Sequence, residues 1–297
     1  MNPSMLVTGA HGQLGRDLVA AAARAGITRI HAPGSVDLDV TDPVAVSGAI
    51  SSAGRGVRLV VINAAAYTAV DAAEGDGAER AHVVNAQGPA NLARACAAHQ
   101  AHLLQVSTDY VFAGDGAEPN RVHDLTAPRT VYGRTKLAGE RAVLCSGASA
   151  HVVRTGWLYG VHGGNFVRTM ARMARLGRRA DPVRVVDDQH GSPTWTVDLA
   201  EGLIALALAA NRLPAGVLHC VNTGATTWFE LARAVFAEVG ADPGRVQPCS
   251  TAEFPRPAPR PANSVLDTAG WAGAGLPEMR HWRAALRAAN AAGVLAG

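Results

Sequence analysis

The chain has 297 residues, 48% hydrophobic and 17% charged, enough for a sizeable core or about two domains and too apolar for wholesale disorder. Its 27 basic residues against 24 acidic ones give a net charge of +3, which argues against nucleic acid as a default partner. Four dispersed cysteines without a CxxC pair argue against a disulfide framework or zinc site and fit a reducing cytoplasm, and the longest apolar stretch (203–210) is too short for a membrane.

Met5-Leu6-Val7-Thr8 is a short apolar run, too close to the start for a secretory signal. Gly9-Ala10-His11-Gly12-Gln13-Leu14-Gly15 follows directly, and Leu14, Leu18, Val19 and Ala22 then recur at helical spacing up to Gly26. Further strand-like runs fall at 29–31, 59–63, 103–107, 151–155 and 184–186. Helical stretches lie between them: one opens at Thr41-Asp42-Pro43 with a cap and proline, one covers 78–98, and one covers 132–144. Strands alternating with helices predict an α/β, Rossmann-like, doubly wound parallel sheet. The expected division is a dinucleotide-binding domain over 1–155, also receiving part of 184–215. A smaller C-terminal substrate-binding region over 156–297 would interleave with the last sheet elements. The proline-rich stretch 255–261 reads as a stiff loop.

Gly9, Gly12 and Gly15 stand after the first strand and open the first helix, where glycine lets backbone approach a pyrophosphate and the helix N-terminus offers free N–H groups. Gly9, Gly12, Gln13 and Leu14 are therefore candidate cofactor contacts. The second strand ends His31-Ala32-Pro33-Gly34 without the carboxylate that usually holds a ribose 2′-hydroxyl, so NADPH is permitted as well as NADH. Asp39 and Val40 are placed to line the adenine. Ala64, Ala65 and Ala66, after the third strand, offer small side chains beside a flat cofactor or, equally, ordinary helix-packing alanines.

Only one of the 27 basic residues is lysine, and it is Lys136. Tyr132-Gly133-Arg134-Thr135-Lys136 puts tyrosine and lysine four apart, on one helix face. A phenol titrates near ~10, so acid–base service at neutrality is expected to need a lowered pKa, which a neighbouring ammonium supplies at about 1.4 kcal/mol per unit. Ser107-Thr108-Asp109-Tyr110 follows the fourth strand, where α/β sheets bind ligands. Thr108 is a candidate to hydrogen-bond the carbonyl that Tyr132 would protonate; the plain alternative is a turn cap. Tyr67 and Tyr110 read as core or pocket aromatics.

These blocks resemble the extended short-chain dehydrogenase/reductases, which use a Ser/Thr–Tyr–Lys set. Asn63 to Glu74, Ser107 to Phe112, Val131 to Glu140, Arg154 to Tyr159, Asp188 to Thr194 and Arg260 to Asp267 are similar, in order, to the dTDP-4-dehydrorhamnose reductase family. The resemblance implies reduction of a 4-keto dTDP-sugar by NADPH or NADH, with Tyr132, Lys136 and Thr108 catalytic. It also implies Asp109 and Trp157 at the sugar, although Trp157 read alone is first a core residue. Arg260 and the run Arg172, Arg175, Arg178 and Arg179 are candidates for the diphosphate, most of that run reading as a solvated face. Some family members are dimers bridged by magnesium through glutamates. This chain departs from that pattern: Asp17 stands at the early position and no acid follows Glu278, so no metal ligand is assigned and a homodimer is left open. Asp187-Asp188 reads as loop capping. Two rivals share the motifs, a sugar-nucleotide epimerase or dehydratase that retains NAD and a non-catalytic regulatory subunit.

Overall fold

The computed structural model describes residues 2–176 and 182–296. The first half builds β1 (Ser4–Thr8), α1 (Gln13–Arg24), β2 (Ile30–His31), α2 (Pro43–Ala53), β3 (Leu59–Asn63), α3 (Ala78–His82), α4 (Gly88–Ala98), β4 (His102–Thr108), α5 (Val131–Leu144) and β5 (Ala150–Thr155). Next come β6 (Leu158–Tyr159), α6 (Phe166–Arg175), β7 (Val183–Val186), β8 (His190–Gly191), β9 (Thr194–Trp195), α7 (Thr196–Ala209) and β10 (Gly216–His219). The chain closes with β11 (Thr226–Thr227), α8 (Trp228–Glu238), β12 (Val246–Cys249), α9 (Ala269–Gly273) and α10 (Trp282–Ala291).

Six parallel strands in the order β10-β5-β4-β3-β1-β2 form the central sheet. Both faces are covered, so β1, β3 and β4 are buried along their whole length, β1 and β3 around the apolar runs Met5–Val7 and Leu59–Ile62. Alternation still sorts their side chains. Met5, Val7, Val60 and Ile62 pack with Leu18 of α1 and Leu199 and Leu203 of α7, while Leu6, Val61 and Leu103 meet Ile50 of α2 and Leu92 of α4. Each such fully buried leucine contributes about 1.5–3 kcal/mol. Asp42 caps α2 by accepting from the Val44 and Ala45 amides at 2.8 and 3.1 Å, with Pro43 at the first helical position.

Two expectations change. The helix expected over 78–98 is interrupted by a π-helical turn at Val83–Gln87, between α3 and α4. The run 184–186 does form a strand, but β7 pairs with β12 outside the central sheet. The sheet edge beside β5 is taken instead by β10, and α7 packs on α1. A separate apolar cluster, including Val167, Met170, Phe236, Trp282 and Leu286, forms the core of the C-terminal unit. No helix among the described residues is long and apolar enough to cross a membrane.

At the amino ends of β4 and β5, away from the ligand edge, two buried histidines form a chain. His102 Nε2 lies 2.9 Å from His151 Nδ1, His102 Nδ1 lies 2.8 Å from Ser149 Oγ, and His151 Nε2 lies 2.9 Å from the Pro214 carbonyl. Burial pulls His102 down to about 4, helped by His151 and Arg58, and burial also lowers His151. A folded pKa below the ordinary ~6.5 leaves stability whole above that value and erodes it as pH falls toward 4, by on the order of 3 kcal/mol for His102. Thermal melts should therefore drop between pH 7 and pH 5, and His102→Gln should drop less; equal losses in both proteins would contradict the assignment.

Candidate active site

The ligand edge is built at the carboxyl ends of β1, β3 and β4. A relay of side chains crosses it: Thr8 Oγ1 donates to Asn63 Oδ1 at 2.6 Å, and Asn63 Nδ2 donates to Gln105 Oε1 at 2.7 Å. Asn63 Oδ1 also accepts from the Ala65 amide at 3.1 Å, which fixes the path of the alanine loop. Gly9 has φ +68°, and a Cβ there would lie 2.7 Å from the Ala65 nitrogen. A Cβ on Gly15 would lie 2.2 Å from the Gly9 carbonyl oxygen. The glycines thus bring the turn, α1 and the alanine loop into backbone contact. Gly12 caps α1 without a side chain, leaving the helix N-terminus open to an anion.

Two adjoining stretches of groove run along this edge, enclosing about 470 and 440 Å³. The first is lined by Gly9, Gly12, Asp39, Val40 and Ala64 to Ala66, with Ser35, Tyr67 and Arg80. The second is lined by Gly12, Gln13, Leu14, Ala64, Ala66, Thr108, Asp109, Tyr110, Tyr132, Lys136 and Trp157. The groove therefore brings together every site residue anticipated above except Arg260 and the arginine run. Arg260 is paired with Asp71 through two hydrogen bonds of 2.8 and 2.9 Å, and its charge is felt by Tyr110 on the wall. Arg172 is exposed on α6, Arg175 donates to the Leu295 carbonyl, and Arg178 and Arg179 lie outside the described residues.

α5 carries the tyrosine and lysine. Thr130 caps it through the Gly133 amide at 2.9 Å, and Glu74 accepts from the Val131 amide at 2.7 Å. One turn further on, Lys136 Nζ donates to the Val106 carbonyl at 2.7 Å, which ties α5 to β4. Thr108 Oγ1 donates to Asp109 Oδ1 at 2.9 Å and accepts from the Tyr110 amide at 3.2 Å, so Thr108 caps a turn as well as facing the phenol. Tyr110 meets Tyr132 edge-on at 5.7 Å.

The lowered phenol expected from the Tyr–Lys spacing is not what this arrangement produces. Burial pushes Tyr132 up to about 12; the Thr108 hydroxyl pulls against that and the Asp109 charge adds to it. Burial brings Lys136 down to about 8, opposed by Glu140 one turn along. Burial lifts Asp109 to about 6, against the Ser264 and Thr108 hydroxyls, and its Oδ2 makes no hydrogen bond. At neutral pH the groove holds a neutral phenol beside a largely protonated lysine.

Several residues of the site went unnoticed in sequence. Asn85, in the π turn, accepts from the Tyr67 amide at 2.8 Å and donates to the Tyr67 carbonyl at 3.0 Å and Thr135 Oγ1 at 3.2 Å, clamping the alanine loop to α5. Nothing in the sequence marked it out, since the run 78–98 carries other polar residues such as Gln87 and Asn91. Arg80 and Ser35 carried no signal either. Asp187 accepts from Thr227 Oγ1 at 2.6 Å, and Asp188 accepts from the Thr251 amide and hydroxyl. Asp17 is buried on α1, 4.0 Å from His162 Nε2. Among the described residues no group of three or more His, Cys, Asp or Glu is placed to hold a metal ion.

The family model described as the RmlD substrate binding domain matches residues 3–293. The chain belongs to that family, the dTDP-4-dehydrorhamnose reductases. A curated relative of that name from Streptomyces griseus is 52% identical, over 96% of this chain and 92% of its own length. A probable dTDP-4,6-dihydroxy-2-methyloxan-3-one 4-ketoreductase from Streptomyces antibioticus is 49% identical, over 96% of this chain and 93% of its own. The crystal structure of a dTDP-4-dehydrorhamnose reductase from Bacillus anthracis in complex with NADP superposes with a TM-score of 0.89 at 34% identity, covering 98% of this chain and 100% of that one. The family and the Rossmann-type fold agree with the resemblance read from the motifs.

The backbone contact under the turn gives a direct test. Gly15→Ala places a methyl 2.2 Å from a carbonyl oxygen that cannot swing away, so affinity for a nicotinamide dinucleotide should fall more than tenfold in a fluorescence titration. Gly48→Ala in α2, with nothing within 4 Å of its new methyl, should leave that affinity unchanged and add about 0.4–1 kcal/mol of stability. Equal affinity in both variants would contradict the assignment of the turn.

Proposed function

We propose that the chain reduces the 4-keto group of dTDP-4-dehydro-L-rhamnose, giving dTDP-L-rhamnose, with Tyr132 as proton donor. The observation that carries this reading is the meeting of Tyr132, Lys136 and Thr108 in the groove that runs on to the glycine turn. The residues fit a dinucleotide: the cradle at Gly9 and Gly15 has no room for a Cβ, and the N-terminus of α1 is open above it. A nicotinamide dinucleotide held by these residues would supply the hydride that reduces the sugar C4. The chain's own task is then to place the ketone, exclude water and deliver one proton to the carbonyl oxygen.

A reductase needs its acid protonated before the step. Burial does that for Tyr132, since a phenol near 12 is neutral at neutral pH. The Thr108 hydroxyl orients the same carbonyl oxygen by turning its hydrogen to it from Asp109 Oδ1. As the proton leaves, negative charge develops on the phenol oxygen, and the Lys136 ammonium one turn away stabilises it. Lys136 also serves the nicotinamide ribose, while Asp109 and Trp157 contact the sugar. Arg260 meets the diphosphate by exchanging or sharing its pairing with Asp71.

NADPH is the favoured reductant in this reading. No carboxylate ends β2, and Ser35 and Arg80 line the groove near Asp39, whose own carboxylate accepts from the Thr41 amide and hydroxyl at 2.9 and 2.8 Å. The relative from Bacillus anthracis, bound to NADP, agrees with this choice. A second reading keeps the chemistry and changes the sugar, because relatives named for two different dTDP-ketosugars differ by only 52% against 49% identity.

NADPH and NADH consumption with dTDP-4-dehydro-L-rhamnose tests the proposal. Wild-type protein should turn over faster with NADPH, and Tyr132→Phe should lose at least a hundredfold in kcat while its NADPH affinity stays within threefold. An epimerase would show no net NADPH consumption, and a regulatory subunit would show no turnover with cofactor bound.

A further inference from the structure

Trp157 follows β5 on a backbone with φ +51°, a left-handed conformation that bulky L residues rarely adopt. Such a residue persists only where its surroundings hold it, and three contacts do so. Its indole stacks on that of Trp228 with ring centroids 3.5 Å apart and planes 2° from parallel. Its Nε1 donates to Ser264 Oγ at 3.0 Å. Gly191 approaches so closely that a Cβ there would lie 2.2 Å from Trp157 Cε2. Trp228 is itself braced by Phe166 of α6, 4.6 Å away.

These contacts join two parts of the molecule. Trp157 is a wall of the groove at its catalytic end, whereas Trp228 opens α8 in the C-terminal unit and does not line the groove. Trp228 therefore touches the wall of the groove through Trp157. We propose that Trp228 is a positioning residue for the sugar-nucleotide end of the groove: its stack holds Trp157 in the strained conformation that shapes the wall against which the sugar ring sits. This rests on the functional reading above and extends it, because it places a determinant of sugar binding outside the groove.

The other stretch of the groove, lined by Gly9, Asp39, Val40 and Ala65, has neither Trp157 nor Trp228 in its wall. A positioning role thus predicts a split between the two substrates that a general loss of folding would not give. Trp228→Leu removes the stack and should raise KM for the dTDP-ketosugar at least tenfold, while KM for NADPH stays within twofold. Trp228→Phe keeps an aromatic face and should recover most of that loss. Gly191→Ala pushes on Trp157 from a different residue and leaves Trp228 in place, so it should raise the same KM even if the leucine variant fails to fold. The exciton-coupled circular dichroism of the parallel indole pair should be present in the wild type and vanish in Trp228→Leu.

Wild-type protein without the coupled signal would overturn the proposal, since the stack would not exist in solution. Loss of the signal with an unchanged sugar KM would overturn it too, as would parallel rises in both KM values without rescue by phenylalanine. An unchanged sugar KM in folded Gly191→Ala would have the same meaning. Wild-type protein that neither consumes NADPH nor binds the dTDP-sugar would overturn the functional reading and this assignment with it; turnover in the wild type with both variants unaffected overturns this assignment alone.

Discussion

The site depends on one bond, from the Lys136 ammonium to the Val106 carbonyl. It fastens α5 to the end of β4, and the residues that follow on β4 bring Thr108 to the phenol of Tyr132. Spacing along the helix puts Tyr132 and Lys136 on one face, but spacing alone does not say what that face meets. The buried ammonium answers this by taking a backbone acceptor, as a buried charge must. In a chain whose other basic residues are all arginine, the compact head of lysine suits a place where one carbonyl and one phenol have to be served together.

Around that bond, burial does most of the electrostatic work. It keeps the phenol protonated, softens the lysine and lifts Asp109 toward neutrality. A reductase that must give up a proton begins from the right state without a strongly lowered phenol. In the proposed reaction the ammonium would act on the charge that appears during the step, not on the resting acid. This reverses the usual reasoning from a Tyr–Lys spacing, which starts from the phenolate.

The parts legible in sequence were those in which chemistry and spacing are local. The glycine turn, the Tyr–Lys pair and Thr108 each occupy a few consecutive residues, and each lies in the groove. The parallel sheet was legible because apolar runs and helical runs alternate. What stayed hidden depends on contacts between distant segments. The pairing of β7 with β12, the clamp by Asn85 and the hold of Asp71 on Arg260 bring together residues tens to hundreds of positions apart. The strained backbone of Trp157 and its stack on Trp228 are of the same kind, because a bulky residue with positive φ leaves no mark in sequence.

The central claim is that this groove delivers hydride to the sugar C4 while Tyr132 protonates the oxygen. Reduction of dTDP-4-dehydro-L-rhamnose with NADPH carrying deuterium at both positions of nicotinamide C4, followed by NMR of the product, tests it most directly. The account predicts one deuterium on C4 of the sugar and none elsewhere. Product with ordinary hydrogen at C4, or with deuterium at another ring carbon, would contradict it.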